Sequence, residues 1–183
     1  VPAPVSCAGC DAFGYGDNSD DPFEGSYDFV GFNDLKTTGG SMTLNWAIGE
    51  MQFTSITDFT TMDKNYQEDS DASSFAGFNF FVTADVDQFS QEFRLSGATE
   101  KTQWVTGLYY LNIDGEYSVG GEIDSFELGS FPGGGLSNPF ATETDSYALF
   151  AQIEQDFSDK FTFIGGLRFT REEKEHDYKS NFV

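Results

Sequence analysis

The sequence predicts an all-β protein, an antiparallel meander of long strands that forms part of a transmembrane β-barrel with long extracellular loops. Three observations indicate this fold. Polar and apolar residues alternate along several segments, short and long connections follow one another in turn, and aromatic residues make up 17% of the chain. Alternation with a period of two is typical of strands with two unlike faces. Aromatic residues favour strands, and the 20 Gly residues favour turns between them.

The segment 87–97, DQFSQEFRLSG, shows the alternation most clearly. Phe89 and Phe93 fall on one side of the segment, whereas Glu92 and Arg94 fall on the other. Such a strand fits a soluble sandwich, in which its polar face meets bulk water. It also fits a membrane barrel, in which the polar face meets a wet lumen and the phenylalanines meet lipid.

Similar segments occur in pairs, and a short turn separates the two members of each pair. The three predicted strand hairpins span 36–63, 86–114 and 143–176. The remaining segments are rich in Gly, Ser, Asp and Asn, and we predict that they are loops on the extracellular side. These predicted loops span 1–35, 64–85 and 115–142.

The lengths of strands and loops favour the membrane barrel. Loops as long as those predicted between the hairpins are uncommon in compact soluble domains. Strands of about 13 residues exceed the usual soluble strand and match a tilted membrane strand that continues past the bilayer. Short turns at one end and long loops at the other are typical of outer-membrane barrels.

The alternation assigns side chains to two environments in such a barrel. Four charged residues are predicted to face the lumen, namely Glu92, Arg94, Glu154 and Arg168. Six apolar residues are predicted to face lipid, namely Phe89, Phe93, Leu95, Phe163, Leu167 and Phe169. In a soluble sandwich the same charges would be surface charges, and the apolar residues would pack against a second sheet.

The charge and the scarcity of catalytic residue types exclude several functions. The chain has 31 acidic and 9 basic residues, which give a formal net charge of −22. Nucleic acids attract proteins through Lys and Arg, so we expect no nucleic-acid partner. Catalysis needs a positioned base or nucleophile with an orienting partner. The single His shows no such framework around it, so we expect no enzyme.

An acidic segment near the N-terminus offers oxygen ligands at close spacing. The candidate ligands for Ca²⁺ are Asp17, Asp20, Asp21 and Glu24. Ca²⁺ binds about six to eight oxygens, mostly from carboxylates and carbonyls. The alternative is a solvated, turn-rich loop without an ion, because the spacing does not match an EF-hand. The acidic stretch 68–71 presents the same choice. No other cofactor is expected.

Cys7 and Cys10 are the two cysteines of the chain. Zinc requires about four ligands, and the only His lies far away at position 176. A redox motif of this spacing would be expected to open a helix, whereas this one opens a loop rich in Gly and Asp. We therefore predict a small structural disulfide formed in an oxidising compartment.

Several stretches resemble the barrel domain of TonB-dependent outer-membrane receptors. They are FSQEFRLSG, KTQWVTGLYYLNIDGEY and TDSYALFAQIEQDFSDKFTFIGGLRFTREEKE, with a less sharp similarity in SMTLNWAIGEMQFTSITDF. The resemblance covers 28–176 and implies a place in the lipid of the bacterial outer membrane. It also implies active uptake of a scarce small molecule or glycan, such as an iron–siderophore complex or a vitamin. The TonB complex of the inner membrane would drive this uptake through a plug domain.

The resemblance covers only part of such a receptor. No plug domain is found in the sequence, and six predicted strands are far fewer than the roughly 22 of plugged transporters. We therefore expect a segment of a larger polypeptide. Two alternatives stay open. One is a secreted β-sandwich or adhesin-like module that binds glycan or calcium, and the other is a β-rich fragment that assembles with itself through its open edges.

Overall fold

The computed structural model describes residues 10, 16, 21, 23–74, 76–123, 134–179 and 181–182. Within these residues, six long strands form one antiparallel sheet in chain order. They are β1 (Phe32–Ile48), β2 (Met51–Asp69), β3 (Phe78–Ala98), β4 (Thr102–Ile123), β5 (Gly134–Ser158) and β6 (Phe161–Tyr178). A two-residue strand, β7 (Asn181–Phe182), pairs with the start of β5. The predicted all-β meander is confirmed.

Short turns join β1 to β2, β3 to β4 and β5 to β6, and they correspond to the three predicted hairpins. Gly49 in the first turn has a φ of 63°, a left-handed conformation that glycine adopts without a steric penalty. In the part of the chain that the structure describes, no helix is long and apolar enough to cross a membrane.

The predicted boundaries of the first long loop, 64–85, are wrong because strands cover most of it. β2 continues to Asp69, and β3 begins at Phe78. Cross-strand partners such as Gln67 and Phe81 continue the antiparallel pairing of β2 with β3 in this region. Pairing of the backbone groups thus outweighs the low strand propensity of the Asp and Asn residues here.

The other two predicted loops are also shorter than expected. β4 reaches Ile123 and β5 begins at Gly134, both inside the predicted loop 115–142. β1 begins at Phe32, inside the predicted loop 1–35. The strands of the sheet therefore extend well beyond the predicted ends of the hairpins.

A change of phase in the apolar pattern explains why these strand ends were missed. In β4, Trp104 and Leu108 point to one face of the sheet, whereas Tyr117 and Val119 point to the other. A window that spans this change contains no continuous alternation, and it therefore resembles a loop. The apolar residues of the other long hairpin strands change faces in the same way.

The two faces of the sheet differ in exposure. We call the more shielded face the inner face; it carries Ala84 and Ala148, which are 8% and 6% exposed. The outer face carries large exposed apolar side chains, among them Leu167 at 85% and Phe169 at 72%. Within the described ranges each strand contacts only its neighbours in the sheet, and no second sheet covers either face. The part of the chain that the structure describes therefore has no second layer of the kind that forms a soluble sandwich.

The register groups the predicted site residues as the alternation did. Glu92, Arg94, Glu154 and Arg168 all lie on the inner face. Phe89, Phe93, Leu95, Phe163, Leu167 and Phe169 all lie on the outer face. That the inner face meets a lumen and the outer face meets lipid stays a prediction.

Candidate functional site

An apolar band covers the outer face near the short turns. One row of direct cross-strand partners through its middle contains Leu44, Ser55, Phe93, Leu108, Leu149 and Phe169. About ten residues per strand, at about 3.4 Å per residue and about 45° of tilt, give a height of roughly 24 Å. This height is close to the apolar band of about 25 Å on outer-membrane barrels.

A polar residue inside the band has its hydrogen bonds satisfied locally. Gln91 lies on the outer face between Phe89 and Phe93. Its Nε2 donates to Ser55 Oγ at 3.0 Å, and its Oε1 accepts from Thr57 Oγ1 at 2.7 Å. A polar group in an apolar setting costs free energy unless it is hydrogen-bonded. The band therefore tolerates this side chain.

The outer face becomes acidic directly above the band. Asp87, Asp114, Glu143 and Glu175 are consecutive cross-strand partners, and Asp63, Asp85 and Glu116 form the next row. We call these seven residues the outer carboxylate rows. Like charges directly opposite one another in a sheet are destabilising. The rows therefore raise the cost of moving this level of the outer face into an apolar environment.

The lower part of the inner face is polar. Glu92 and Arg94 form an ion pair there. The Arg168 guanidinium lies 5.6 Å from the ring centre of Tyr109 and 5.9 Å from that of Phe150, which gives cation–π contacts. Charged and aromatic groups on this face thus contact one another across strands.

The upper part of the inner face carries an aromatic ladder, which we define as Tyr117, Phe140, His176 and Tyr178. The rings of Tyr117 and Phe140 stack with centroids 4.9 Å apart and planes 11° apart. Phe140 is 5.5 Å from His176, and His176 is 6.4 Å from Tyr178. The ladder thus runs over three neighbouring strands, β4 to β6.

Two local features position the ladder. The Tyr117 hydroxyl carbon and oxygen would lie 2.6–2.8 Å from a Cβ at Gly115, so the ring occupies space that only glycine leaves. The Tyr178 hydroxyl donates to Asn138 Oδ1 at 3.0 Å. The sequence analysis missed the ladder because it placed Tyr117 and Phe140 in a loop. The alternation of Tyr117, Val119 and neighbouring small or polar residues is the pattern that could have revealed it.

A groove of about 930 Å³ crosses all six long strands at the level of the ladder. Its lining is centred on one row of inner-face partners, Leu35, Lys64, Ala84, Tyr117 and Phe140. The residues that line it belong to both faces of the sheet. By the alternation along each strand, Lys64 lies on the inner face, whereas six charged residues lie on the outer face, namely Asp34, Lys36, Asp63, Asp85, Glu116 and Asp177. The negative charge at this level therefore lies on the outer face, with the outer carboxylate rows.

A separate acidic cluster lies at the turn between β2 and β3. Carboxylate oxygens of Asp28, Asp69 and Asp71 lie within 4.8 Å of one another. Loss of hydration raises the pKa of Asp28 above 3.8, and the charges of Asp69 and Asp71 raise it further. The sequence analysis had noted Asp69 and Asp71 but not Asp28, which is distant in the chain.

Asp71 also organises the turn itself. Its Oδ1 accepts hydrogen bonds from the backbone N and the hydroxyl of Ser73, at 3.2 and 2.6 Å. Its Oδ2 accepts from the backbone N of Gly77 and Phe78, at 3.2 and 2.8 Å. The carboxylate therefore already has four donors, which gives it a structural role in this turn.

The predicted calcium ligands lie only partly within the described residues. Asp17 and Asp20 lie outside them. Asp21 Oδ1 accepts from the backbone N of Phe23 at 2.9 Å, and the carbonyl of Asp21 accepts from the backbone N of Glu24 at 3.1 Å. These bonds form a tight turn, and calcium binding in this segment stays a prediction.

The predicted disulfide also lies partly outside the described residues. Cys10 is disulfide-bonded. Cys7 lies outside the residues that the structure describes, so the pairing of Cys7 with Cys10 stays a prediction.

The comparisons with known proteins agree with the geometry. The model of the TonB-dependent-receptor-like β-barrel family matches residues 9–183, and the chain belongs to this family. Among the 12 solved chains that match is the crystal structure of the ferric yersiniabactin uptake receptor FyuA from Yersinia pestis. The TM-score is 0.68 at 15% identity, over 84% of this chain and 24% of that chain. At this identity the likeness concerns the fold.

This chain spans about a quarter of the length of the FyuA chain. No curated protein sequence matches it. The family is one of transport receptors.

Proposed function

We propose that this chain forms six strands of the barrel wall of a TonB-dependent receptor in the bacterial outer membrane. The observation that carries the proposal is the reversal of polarity along the strands. Near the short turns the outer face is apolar and the inner face is polar. Farther from these turns the outer face is acidic and the inner face is aromatic.

A barrel that crosses a membrane accounts for this reversal. Lipid covers the outer face only over the apolar band, and the outer carboxylate rows lie in water above it. The inner face at the lower level meets the wet lumen, where Glu92 pairs with Arg94. At the upper level it lines an external vestibule that a ligand enters first. The three short turns are then periplasmic.

The receptor takes up a scarce nutrient, which is a small molecule or a glycan, and the TonB complex drives its passage through a plug domain. Family membership supports this mechanism. Uptake by the full-length receptor should stop when a protonophore collapses the inner-membrane gradient, whereas ligand binding should persist. Undiminished uptake after that treatment would contradict the proposed energy source.

Lipid contact of the outer face can be tested by fluorescence quenching. We would replace Cys7 and Cys10 by Ser in the full-length receptor and attach bimane at L149C, at Q152C or at E143C. In vesicles with brominated lipid, the label at 149 should be quenched. The label at 152, on the inner face, should respond to aqueous iodide instead.

The label at 143 lies on the outer face above the band, so iodide should quench it and brominated lipid should not. Equal quenching of all three labels by iodide would contradict a membrane position. It would favour a soluble module, which would also stay in solution without detergent.

A further inference from the structure

We infer that the acidic cluster is a calcium site that holds segment 23–31 on the turn between β2 and β3. Its protein ligands are the carboxylates of Asp28 and Asp69 and the amide oxygen of Asn79, and solvent completes the coordination. The inference goes beyond the proposed function, and it does not depend on where the sheet lies relative to a membrane.

Three carboxylates meet in the cluster without a basic partner. Carboxylate oxygens of Asp28, Asp69 and Asp71 lie within 4.8 Å of one another. None of the ion pairs among the described residues includes any of these three groups. Like charges this close repel one another, whereas a divalent cation among them replaces the repulsion by attraction.

Two side-chain oxygens at this place are shielded from solvent and accept no hydrogen bond from the described residues. They are Asp69 Oδ2 and Asn79 Oδ1. Asp69 and Asn79 are direct cross-strand partners, so their side chains share one face and their Cβ atoms lie about 5 Å apart. A buried acceptor without a donor costs free energy and points to a bound ion or water molecule. A cation satisfies both oxygens and also offsets the charge of the cluster, which water does not.

The remaining oxygens of the turn are already used by the fold. The two carboxylate oxygens of Asp71 accept four hydrogen bonds within the turn. Asp69 Oδ1 accepts from the backbone N of Ala72 at 3.0 Å. These bonds fix the turn, and they leave Asp69 Oδ2 and Asn79 Oδ1 as the oxygens that an ion can bind.

Segment 23–31 contacts the turn but buries little apolar surface. The backbone N of Asp28 donates to the carbonyl of Ser73 at 3.1 Å. Phe23 and Val30, however, are 92% and 89% exposed. Burial of these side chains therefore contributes little to the attachment of the segment. An ion that bridges the Asp28 carboxylate to the turn supplies a stronger attachment.

The ligand chemistry favours Ca²⁺. All three protein ligands are oxygens, which hard cations prefer. Ca²⁺ accepts six to eight oxygens in flexible geometry, whereas Mg²⁺ requires a near-octahedral arrangement and keeps several waters. A partly exposed site with few protein ligands fits the weak class of calcium sites, with a dissociation constant of about 0.1–1 mM.

The test measures hydrogen exchange of the Asp28 amide in the full-length receptor, in detergent at neutral pH, with EDTA as the reference. About 10 mM Ca²⁺ should raise the protection of this amide about tenfold, as expected for a dissociation constant of about 1 mM. Mg²⁺ at the same concentration should raise it less than about threefold. The amide lies in the segment itself, so this measurement reports attachment locally.

Two variants test the ligands in opposite directions. D69N removes a ligand charge and should reduce the calcium effect to less than about threefold. N79D adds a carboxylate at a ligand position and should lower the half-saturating Ca²⁺ concentration about threefold to tenfold, a gain that a folding defect does not produce. The matched control is D63N, which makes the same change on the same strand and should leave the calcium effect intact. Circular dichroism of each variant confirms that the sheet has formed.

A calcium effect no larger than the magnesium effect would overturn the calcium site. A full calcium effect in D69N, or a weaker affinity in N79D, would overturn the ligand assignment. Each of these results can occur while bimane at 149 is still quenched by brominated lipid, so failure of this inference is distinguishable from failure of the proposed function.

Discussion

Glu143 lies directly opposite Asp114 on one side and directly opposite Glu175 on the other, in the ladders of β5 with β4 and with β6. Three carboxylates in a row on one face repel one another, and such pairs typically cost about 0.2–1 kcal/mol each. Stability alone would not favour this arrangement. In the proposed barrel the row fixes how far the outer face enters the membrane.

Removing the central charge should therefore stabilise the sheet. We expect E143Q to raise the free energy of unfolding by about 0.5–1 kcal/mol, measured by urea titration in detergent micelles. The control is E92Q on the inner face, which loses the ion pair with Arg94 and should be neutral or slightly destabilising. A loss of stability in E143Q equal to that in E92Q would show that the row does not repel.

Tyr110 and Asp145 form a hydrogen bond at the upper margin of the apolar band. The Tyr110 hydroxyl donates to Asp145 Oδ1 at 2.7 Å, and Asn112 Nδ2 donates to the same oxygen at 3.3 Å. D145A leaves both donors without this acceptor, so we expect a loss of about 1–3 kcal/mol. Y110F removes only one bond and should cost about 1 kcal/mol.

D145A and Y110F test whether the Asp145 carboxylate stabilises the sheet through its hydrogen bonds, in contrast to Glu143, which we expect to destabilise the sheet by repulsion. Thermal unfolding followed by circular dichroism measures both losses. If D145A behaved like E143Q and gained stability, repulsion rather than hydrogen bonding would dominate at Asp145.

A positive charge in the middle of the apolar band should be costly. Leu149 is 56% exposed on the outer face and lies directly between Leu108 and Phe169. L149R should lower stability in a bilayer by about 2–4 kcal/mol, the cost at the midplane of a membrane barrel. The matched control is Q152R on the inner face, which should cost less than about 1 kcal/mol. Equal losses would mean that lipid does not cover this face.

Much of the fold followed from the sequence because one face of each strand is apolar near the short turns. The alternation of Phe89, Phe93 and Leu95 with Glu92 and Arg94 gave the correct strand type and the correct grouping by face. The turn residues between the paired segments correctly predicted the three hairpins. These features are local, so a single sequence contains them.

The strand ends that lie far from the short turns were not predicted from the sequence, because the environment of each face changes along the strand. Along β4 the apolar positions change from the outer face, as at Leu108, to the inner face, as at Tyr117. A search for one uninterrupted alternation of polar and apolar residues fails at such a change. The cluster of Asp28 with Asp69 and Asp71 depends on contact between distant segments, which propensity does not contain. The same holds for the rows of carboxylates, which only the register reveals.

The close contact between Gly115 and Tyr117 should make a small substitution harmful. A Cβ at position 115 would lie 2.6 Å from Tyr117 ring atoms, whereas a Cβ at Gly40 would meet nothing within 4 Å. We expect G115A to displace the Tyr117 ring from Phe140 and to cost about 1–3 kcal/mol, as overpacking does. G40A should be neutral or slightly stabilising.

Near-ultraviolet circular dichroism reports the ring displacement, and urea unfolding reports its cost. If G115A left both the tyrosine spectrum and the stability unchanged, the Tyr117 ring would accommodate the added methyl group without cost. The contact with Gly115 would then not fix the position of the ring in the aromatic ladder.

The acidic cluster should make the attachment of segment 23–31 depend on pH. The pKa of Asp28 is raised above 3.8, first by loss of hydration, then by the charges of Asp69 and Asp71 and by a hydrogen bond with Asp69. The attached state therefore binds this proton more tightly than the detached state. The protonated Asp28 carboxyl therefore stabilises the attached state of the segment. This stabilisation is fully present below pH 3.8 and is lost as pH rises through the raised pKa.

Hydrogen exchange of the Asp28 amide, which donates to the Ser73 carbonyl at 3.1 Å, measures this attachment once the intrinsic pH dependence is removed. We expect greater protection near pH 4 than near pH 7. D28N should remove the dependence and keep strong protection at neutral pH, because the neutral amide is not repelled by Asp69 and Asp71. The control D21N should leave it unchanged. If wild-type protection were instead greater at neutral pH, the carboxyl would gain from being ionised, and the repulsion assigned to Asp69 and Asp71 would be wrong.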